Sequence, residues 1–158
     1  MTHILQNAGT ASIILILLLA AACRASNGDR TVPQGTDDLT GVEWQLVRIE
    51  SSDTTVMKDD LARAVTLEFS MDDHEQSEDG KLATGYAPCN SFSAAYRTEG
   101  GGDISFDNLV STYMACEEEI MLHERLLFEA LQEATAYTMD DSSLQILSEG
   151  VTLTYESI

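Results

Sequence analysis

The chain has 158 residues, with 8 basic and 27 acidic side chains and a formal net charge of −19 at pH 7. A surface this acidic repels nucleic-acid phosphates and anionic lipid headgroups, so we expect no nucleic-acid partner. Three explanations of the acidity stay open: adaptation to high salt, a cationic partner, or solubility alone. Without its first 40 residues, the length fits a single small domain.

An apolar run, residues 13–22, follows an N-terminal segment without lysine or arginine. The run is shorter than the roughly 20 apolar residues of a membrane-spanning helix, and it fits the apolar core of a signal peptide. The stretch LAAAC, residues 19–23, resembles a bacterial lipobox, in which the cysteine is lipidated and becomes the new N-terminus. We therefore predict a lipoprotein signal peptide over residues 1–22 and lipidation of Cys23. The alternatives are an ordinary secretory signal with a chance cysteine and a misassigned start codon.

Residues 23–40 contain mostly polar residues with glycine and proline, and we expect them to form a flexible, lipid-anchored tether. Each CH₂ group of an acyl chain on Cys23 would contribute about 0.8 kcal/mol to membrane binding, so several chains would anchor the protein permanently. Because Arg24, and not an aspartate, follows the cysteine, the expected location in a cell with two membranes is the outer membrane, facing the periplasm.

The three cysteines of the chain are Cys23, Cys89 and Cys116. An odd number would leave one spare thiol in an exported protein. With Cys23 assigned to lipid, the other two form an even pair in an oxidising compartment. We predict a disulfide between them, closing a loop of about 26 residues and contributing roughly 3–4 kcal/mol. Two separate buried thiols are the alternative.

In chain order, apolar residues alternate with polar ones at 42–46, 65–69, 92–96 and 104–106, which predicts four strands with one buried face each. Between the second and third of these lies the acidic stretch MDDHEQSEDG, residues 71–80. We interpret it as a solvated loop. A weak divalent-cation site is the alternative, because hard cations such as Ca²⁺ take several oxygen ligands.

The spacing of apolar residues changes over residues 117–134, where Ile120, Leu127 and Leu131 recur at helical intervals. Three glutamates at 117–119 fall in the first turn, where negative charge suits the helix dipole. Alternation returns over residues 137–157, interrupted by two turns, and predicts three more strands. Strands, one amphipathic helix and then strands indicate an α+β fold with a mainly antiparallel sheet.

Several stretches of this region are distinctive: GVEWQLVRIE at 41–50, GYAPCNSFSAAY at 85–96, ISFDNLVSTYMACEEE at 104–119, Glu124 with Leu131 on the helix, and LQILSEGVTLTYE at 144–156. Together they resemble the META domain, also called the HslJ-like family. The resemblance covers nearly all of residues 41–158. It implies a small, barrel-like antiparallel sheet with one helix, a lipoprotein leader and a broad link to envelope stress. It implies no general enzymatic activity.

The strongest candidate for catalysis is the pair Cys116 and His123, seven residues apart at the start of the predicted helix. A thiolate at a helix N-terminus beside a histidine can act as a nucleophile. However, the neighbouring glutamates would raise the pKa of the thiol, and two helical turns, about 10 Å, exceed hydrogen-bond distance. We therefore expect no catalytic residue. The alternative is a thiol-dependent enzyme or redox protein that uses Cys116 or Cys89.

Asn90 follows Cys89 directly, and Thr112 lies four residues before Cys116. Such side chains at strand ends usually hydrogen-bond backbone groups and fix turns, and a ligand or partner surface is the alternative. Trp44 and Tyr86 are expected in the core. The sequence has no Gly-rich phosphate loop, zinc-ligand spacing or serine triad, so we expect neither metal nor cofactor. The prediction is a monomeric, non-catalytic binding or envelope-stress module, with the membrane and an unidentified envelope protein or small ligand as partners.

Overall fold

The computed structural model describes residues 38–71 and 81–158. These residues form nine strands, one α-helix and a 3-10 turn at Lys58–Asp60. The strands are β1 (Glu43–Ser51), β2 (Thr55–Met57), β3 (Thr66–Met71), β4 (Lys81–Tyr86), β5 (Ser91–Glu99), β6 (Asp103–Ser111), β7 (Ala134–Met139), β8 (Ser143–Ser148) and β9 (Val151–Ser157), and the helix is α1 (Glu118–Gln132). The predicted signal peptide, the lipidation site Cys23, the tether up to residue 37 and the acidic residues 72–80 lie outside the described residues.

Eight strands close into an antiparallel barrel, in the order β1-β3-β4-β5-β6-β7-β8-β9 and back to β1. The closing seam pairs Trp44 with Ser157 and Ser51 with Val151. β2 pairs with the later half of β1, on the edge that β3 occupies at the other half. The fold is therefore the predicted one, a mainly antiparallel, barrel-like sheet with one amphipathic helix.

The barrel is weakest between β6 and β7, where the strands pair only through Asp103 and Ala136. The helix α1 connects these two strands and contacts β6, β8 and β9. Its buried residues include Leu127, Ala130 and Leu131, and the Phe128 ring meets the Phe92 ring edge-to-face with centroids 5.5 Å apart. The helix thus packs its apolar face against the core of the barrel.

The core combines inward-facing side chains of the strands, many of them predicted from the alternation, with residues of the helix and of the chain before β1. The largest fully buried side chains are Trp44, Leu46, Ile49, Leu67, Phe69, Leu127, Leu131, Leu144, Ile146, Leu153 and Tyr155, with Leu39 from the chain before β1. The prediction that Tyr86 lies in the core is wrong, because its side chain is 50 % exposed. Tyr86 faces outward from β4, and the guanidinium of Arg63 lies 4.4 Å from its ring centroid.

Candidate functional site

A buried carboxylate on the helix lies at the centre of a polar cluster. Glu124 of α1 is only 4 % exposed. Its Oε2 accepts hydrogen bonds from the backbone N–H groups of Cys89 and Asn90, at 3.0 and 2.7 Å, and its Oε1 accepts one from Asn90 Nδ2 at 2.7 Å. Burying an ionised carboxylate is costly, and hydrogen bonds to both oxygens offset that cost.

The side chain of Asn90 links the helix to the segment that precedes it. While its Nδ2 donates to Glu124, its Oδ1 accepts hydrogen bonds from the Thr112 hydroxyl and the Met114 backbone N–H, both at 2.8 Å. The Thr112 oxygen also accepts a bond from the N–H of Ser91 at 3.2 Å. These partners fix which end of the Asn90 amide is the oxygen, since each end meets groups of the opposite hydrogen-bonding type.

A disulfide joins the same two parts of the chain covalently. Cys89 and Cys116 are bonded, with their Cα atoms 6.1 Å apart, as predicted from the number of cysteines. Cys89 is buried and Cys116 is exposed. Residues 112–117, which we call the anchored segment, are therefore held at Thr112, Met114 and Cys116. The turn at residues 87–91, the anchored segment and α1 form one connected unit.

Comparison with known proteins identifies the family of the whole domain. Residues 37–157 match the META domain. The chain belongs to the META domain family. This confirms the resemblance drawn from its motifs. No curated protein matches the sequence significantly.

Solved structures share the META fold. The chain is similar to the NMR structure of a protein from Burkholderia xenovorans, with 26 % identity and a TM-score of 0.59 over 76 % of this chain and 83 % of that one. A second NMR structure matches at 21 % identity and a TM-score of 0.53, covering 75 % of this chain and 90 % of that one. A DUF4847 family protein from Bacteroides vulgatus matches at 14 % identity and a TM-score of 0.52, covering 75 % and 93 %. The last two likenesses concern the fold alone.

The two polar residues singled out in the sequence, Asn90 and Thr112, meet directly in this META domain. Their hydrogen bonds to backbone groups of Ser91 and Met114 fit the structural interpretation. A ligand or partner role for the pair stays a prediction. Glu124, which the motifs contain but to which the sequence analysis gave no role, is the residue that was missed. The available signal was a carboxylate three and seven residues before the buried Leu127 and Leu131, on the apolar face of the helix.

The structure separates Cys116 from His123. The helix begins at Glu118, so Cys116 precedes it and does not share a helix face with His123. Its sulfur is bonded to that of Cys89, so a thiolate would form only after reduction. Within residues 38–71 and 81–158, no three His, Cys, Asp or Glu side chains are placed to hold a metal ion. The same residues contain no helix with the length and apolar character needed to cross a membrane.

Among the described residues, two of the open clefts lie away from the polar cluster. One, of about 360 Å³, is lined by Asp38, Leu39, Met71, Lys81, Tyr96 and Thr98. Hydrogen bonds from Thr40 hold the pKa of Asp38 below its usual value, whereas burial, followed by the charge of Asp38, raises the pKa of Tyr96. The other cleft, of about 400 Å³, is lined by residues of β1, the 3-10 turn and the chain before β3. Neither includes the polar cluster.

Proposed function

We propose that this META domain is a non-catalytic binding module, exported and held at a membrane by lipid on Cys23. The observation that carries the proposal is the Cys89–Cys116 disulfide. It uses both cysteines of the domain and fits an oxidising compartment outside the cytoplasm. Cys23, in its lipobox-like setting, is then the one cysteine left for lipidation.

The state of the reactive groups supports a binding role over a catalytic one. Among the described residues, Glu124 is the buried carboxylate, and both of its oxygens already accept hydrogen bonds from the turn before β5. Proton transfer to a substrate would require breaking those bonds. The two sulfurs are joined, which removes the thiolate that a cysteine nucleophile needs. These groups hold the fold together.

The proposal is tested by the intact mass of the natively expressed protein from membranes, alkylated with and without prior reduction. We expect a chain that begins at Cys23, carries acyl mass and takes up two alkyl groups only after reduction. A Cys23→Ser variant is the matched control and should keep its leader and lack the acyl mass. A wild-type chain with an intact leader contradicts the anchoring, and alkylation of two thiols without reduction favours the thiol-dependent enzyme or redox protein.

The membrane of residence is tested separately, in a host with two membranes. After density separation, we expect the wild-type chain in the outer-membrane fraction, because Arg24 follows the lipidated cysteine. An Arg24→Asp variant should shift to the inner membrane. Equal distribution of the two variants contradicts the assignment to the outer membrane without affecting the anchoring itself.

A further inference from the structure

Exposed apolar side chains lie beside the polar cluster, on the outer face of β4, β5 and β6. In the register of these strands, Tyr86 pairs with Ser91, and Thr84 pairs with Ser93, which pairs with Val110. Because side chains alternate across a strand, Tyr86 and Val110 face the same side of the sheet, with small hydroxyl residues between them. Tyr113 and Met114 follow directly after β6. We call Tyr86, Val110, Tyr113 and Met114 the Tyr113 surface.

The members of this surface are large and open to solvent. Tyr86, Val110 and Met114 are each about half exposed, at 50, 50 and 51 %, and the Tyr113 side chain is fully exposed at 102 %. Neighbouring strands lie about 4.8 Å apart, so Tyr86 on β4 and the end of β6 are about 10 Å apart, within one contact patch. An exposed apolar patch of this kind on a small soluble domain is typical of a protein-interaction site.

The backbone that carries Tyr113 is held rigidly although Tyr113 itself contributes nothing to the core. On either side of it, the Thr112 hydroxyl and the Met114 N–H both donate to Asn90 Oδ1, and Cys116 is bonded to Cys89. The buried cluster therefore fixes the backbone, while the Tyr113 side chain points into solvent. A partner would not have to order this segment, and a pre-ordered tyrosine is among the most effective binding anchors.

The charges around the surface select the partner. Glu117, Glu118 and Glu119 follow the anchored segment and are exposed, and Glu68 pairs with Thr84 at the far side of the same row. Arg63 is stacked on Tyr86, and Arg97, farther along the outer face of β5, is paired with Asp107. The carboxylates favour lysine and arginine on the partner and disfavour anionic lipid.

We propose that the Tyr113 surface docks a polypeptide whose aliphatic or aromatic side chains are flanked by lysine or arginine. The proposal rests on the binding role proposed above and names the surface and the chemistry of the partner. Tyr113 provides the central anchor, Tyr86 and Val110 the apolar flanks, and residues 117–119 the charge that orients the partner. A basic partner also gives the surplus of acidic residues a function on this side of the barrel.

The test uses the full chain, purified from membranes and held in zwitterionic lipid nanodiscs, with empty nanodiscs as the blank. The probe is a short fluorescent peptide in which lysines alternate with tyrosine, valine and serine. A peptide of lysine and serine tests charge alone. The first peptide with glutamate in place of lysine tests apolar contact alone. Tyr113→Ser and Val110→Ser are the test variants. Ile158→Ser removes an exposed apolar side chain, 66 % exposed, from another part of the surface and is the matched control.

We expect the lysine-containing apolar peptide to bind, with affinity that weakens as salt rises. Tyr113→Ser should weaken it about tenfold or more, Val110→Ser less, and Ile158→Ser not at all. Absence of binding, equal binding of the peptide of lysine and serine, or equal affinity of Tyr113→Ser and wild type would overturn the proposal. Binding of anionic vesicles in place of the peptide would assign the surface to lipid and overturn it as well.

The lipid anchoring and the Tyr113 surface can each be contradicted without affecting the other. A lipidated chain that binds no peptide contradicts the Tyr113 surface and leaves the anchoring intact. A chain that keeps its leader but binds the peptide through Tyr113 contradicts the anchoring and leaves the docking surface intact.

Discussion

Asn90 and Glu124 are joined by two hydrogen bonds of 2.7 Å, one from the backbone N–H of Asn90 and one from its side-chain amide. The two residues are 34 positions apart, on the turn before β5 and on α1. The contact fastens the helix to the barrel at the end where Cys89 and Cys116 are also bonded. The buried carboxylate and the disulfide therefore both hold α1 against the barrel.

Replacing Glu124 by glutamine should destabilise the fold. Glutamine has one acceptor oxygen and would turn an NH₂ group toward donors that now meet a carboxylate. We expect Glu124→Gln to lower the free energy of unfolding by about 2–3 kcal/mol, measured by urea denaturation. Glu129→Gln makes the same change at an exposed position of α1 and should stay within about 0.5 kcal/mol of wild type. Equal losses of stability in the two variants would show that the buried hydrogen bonds make no net contribution to the free energy of unfolding.

Removal of the disulfide should lower the free energy of unfolding by a similar amount, because the unfolded chain would then be less restricted. The bond spans a sequence separation of 27 residues and restricts the unfolded chain. We expect the double variant Cys89→Ser with Cys116→Ser to lose about 3–4 kcal/mol of unfolding free energy in denaturant titrations. Reductant should destabilise the wild type to the level of the double variant and leave the double variant unchanged. A reductant effect on the double variant would point to a cause other than this bond.

Gly85 in β4 should not tolerate alanine. A Cβ atom there would lie 2.0 Å from the backbone carbonyl oxygen of Thr66, which a side-chain rotation cannot relieve. We expect Gly85→Ala to cost about 3 kcal/mol, read from the thermal midpoint and from denaturant unfolding. At Gly100, a Cβ atom would meet nothing within 4 Å, so Gly100→Ala should change stability by less than about 1 kcal/mol. Equal tolerance at both positions would mean that β3 and β4 can separate without loss.

The Tyr155 hydroxyl should make the domain sensitive to alkali. Complete burial raises the pKa of Tyr155 well above its usual value. Above pH about 10, the unfolded chain releases this proton while the folded protein keeps it, so the free energy of unfolding falls as pH rises. Tyr155→Phe should remove that part of the slope.

At neutral pH, Tyr155→Phe should be as stable as wild type or up to about 1 kcal/mol more stable. The reason is that the hydroxyl is buried without a hydrogen-bond partner among the described residues. Tyr113→Phe makes the same chemical change on a fully exposed ring and is the control. A clear loss of stability in Tyr155→Phe at neutral pH would reveal a hydrogen bond to that hydroxyl in solution.

Alternation of apolar and polar residues was enough to predict the strands with one buried face. It located β1, β3 and β5, whose inward residues include Trp44, Leu67 and Phe92. It did not locate β4, because Leu82 and Ala83 are adjacent and both buried, and Gly85 adds no side chain to the pattern. The misplacement of Tyr86 follows from the same gap, since the outward face of an unpredicted strand cannot be assigned.

Part of the candidate site could be predicted from neighbouring residues in the sequence, and the rest depends on contacts between distant parts of the chain. Asn90 adjoins Cys89 and Thr112 lies four residues before Cys116, so the predicted disulfide already implies that the two residues share one region. The role of Glu124 needs the register of the barrel and the angle of α1, which bring together residues 34 positions apart. The outward direction of Tyr113 follows from bonds made by Thr112 and Met114, which no local pattern encodes.

The seam between β1 and β9 sets the order in which the molecule can be completed. Trp44 pairs with Ser157, and the Ile158 N–H donates to the Glu43 carbonyl oxygen at 3.0 Å. Each rung of this seam closes a loop of ~100 residues, among the most entropically costly contacts in the domain. Along the chain, β1 is the first strand of the domain, and β9, which pairs with β1 along its length, is the last. The barrel therefore cannot close before β9 is present, so the whole domain must be available before its core is sealed.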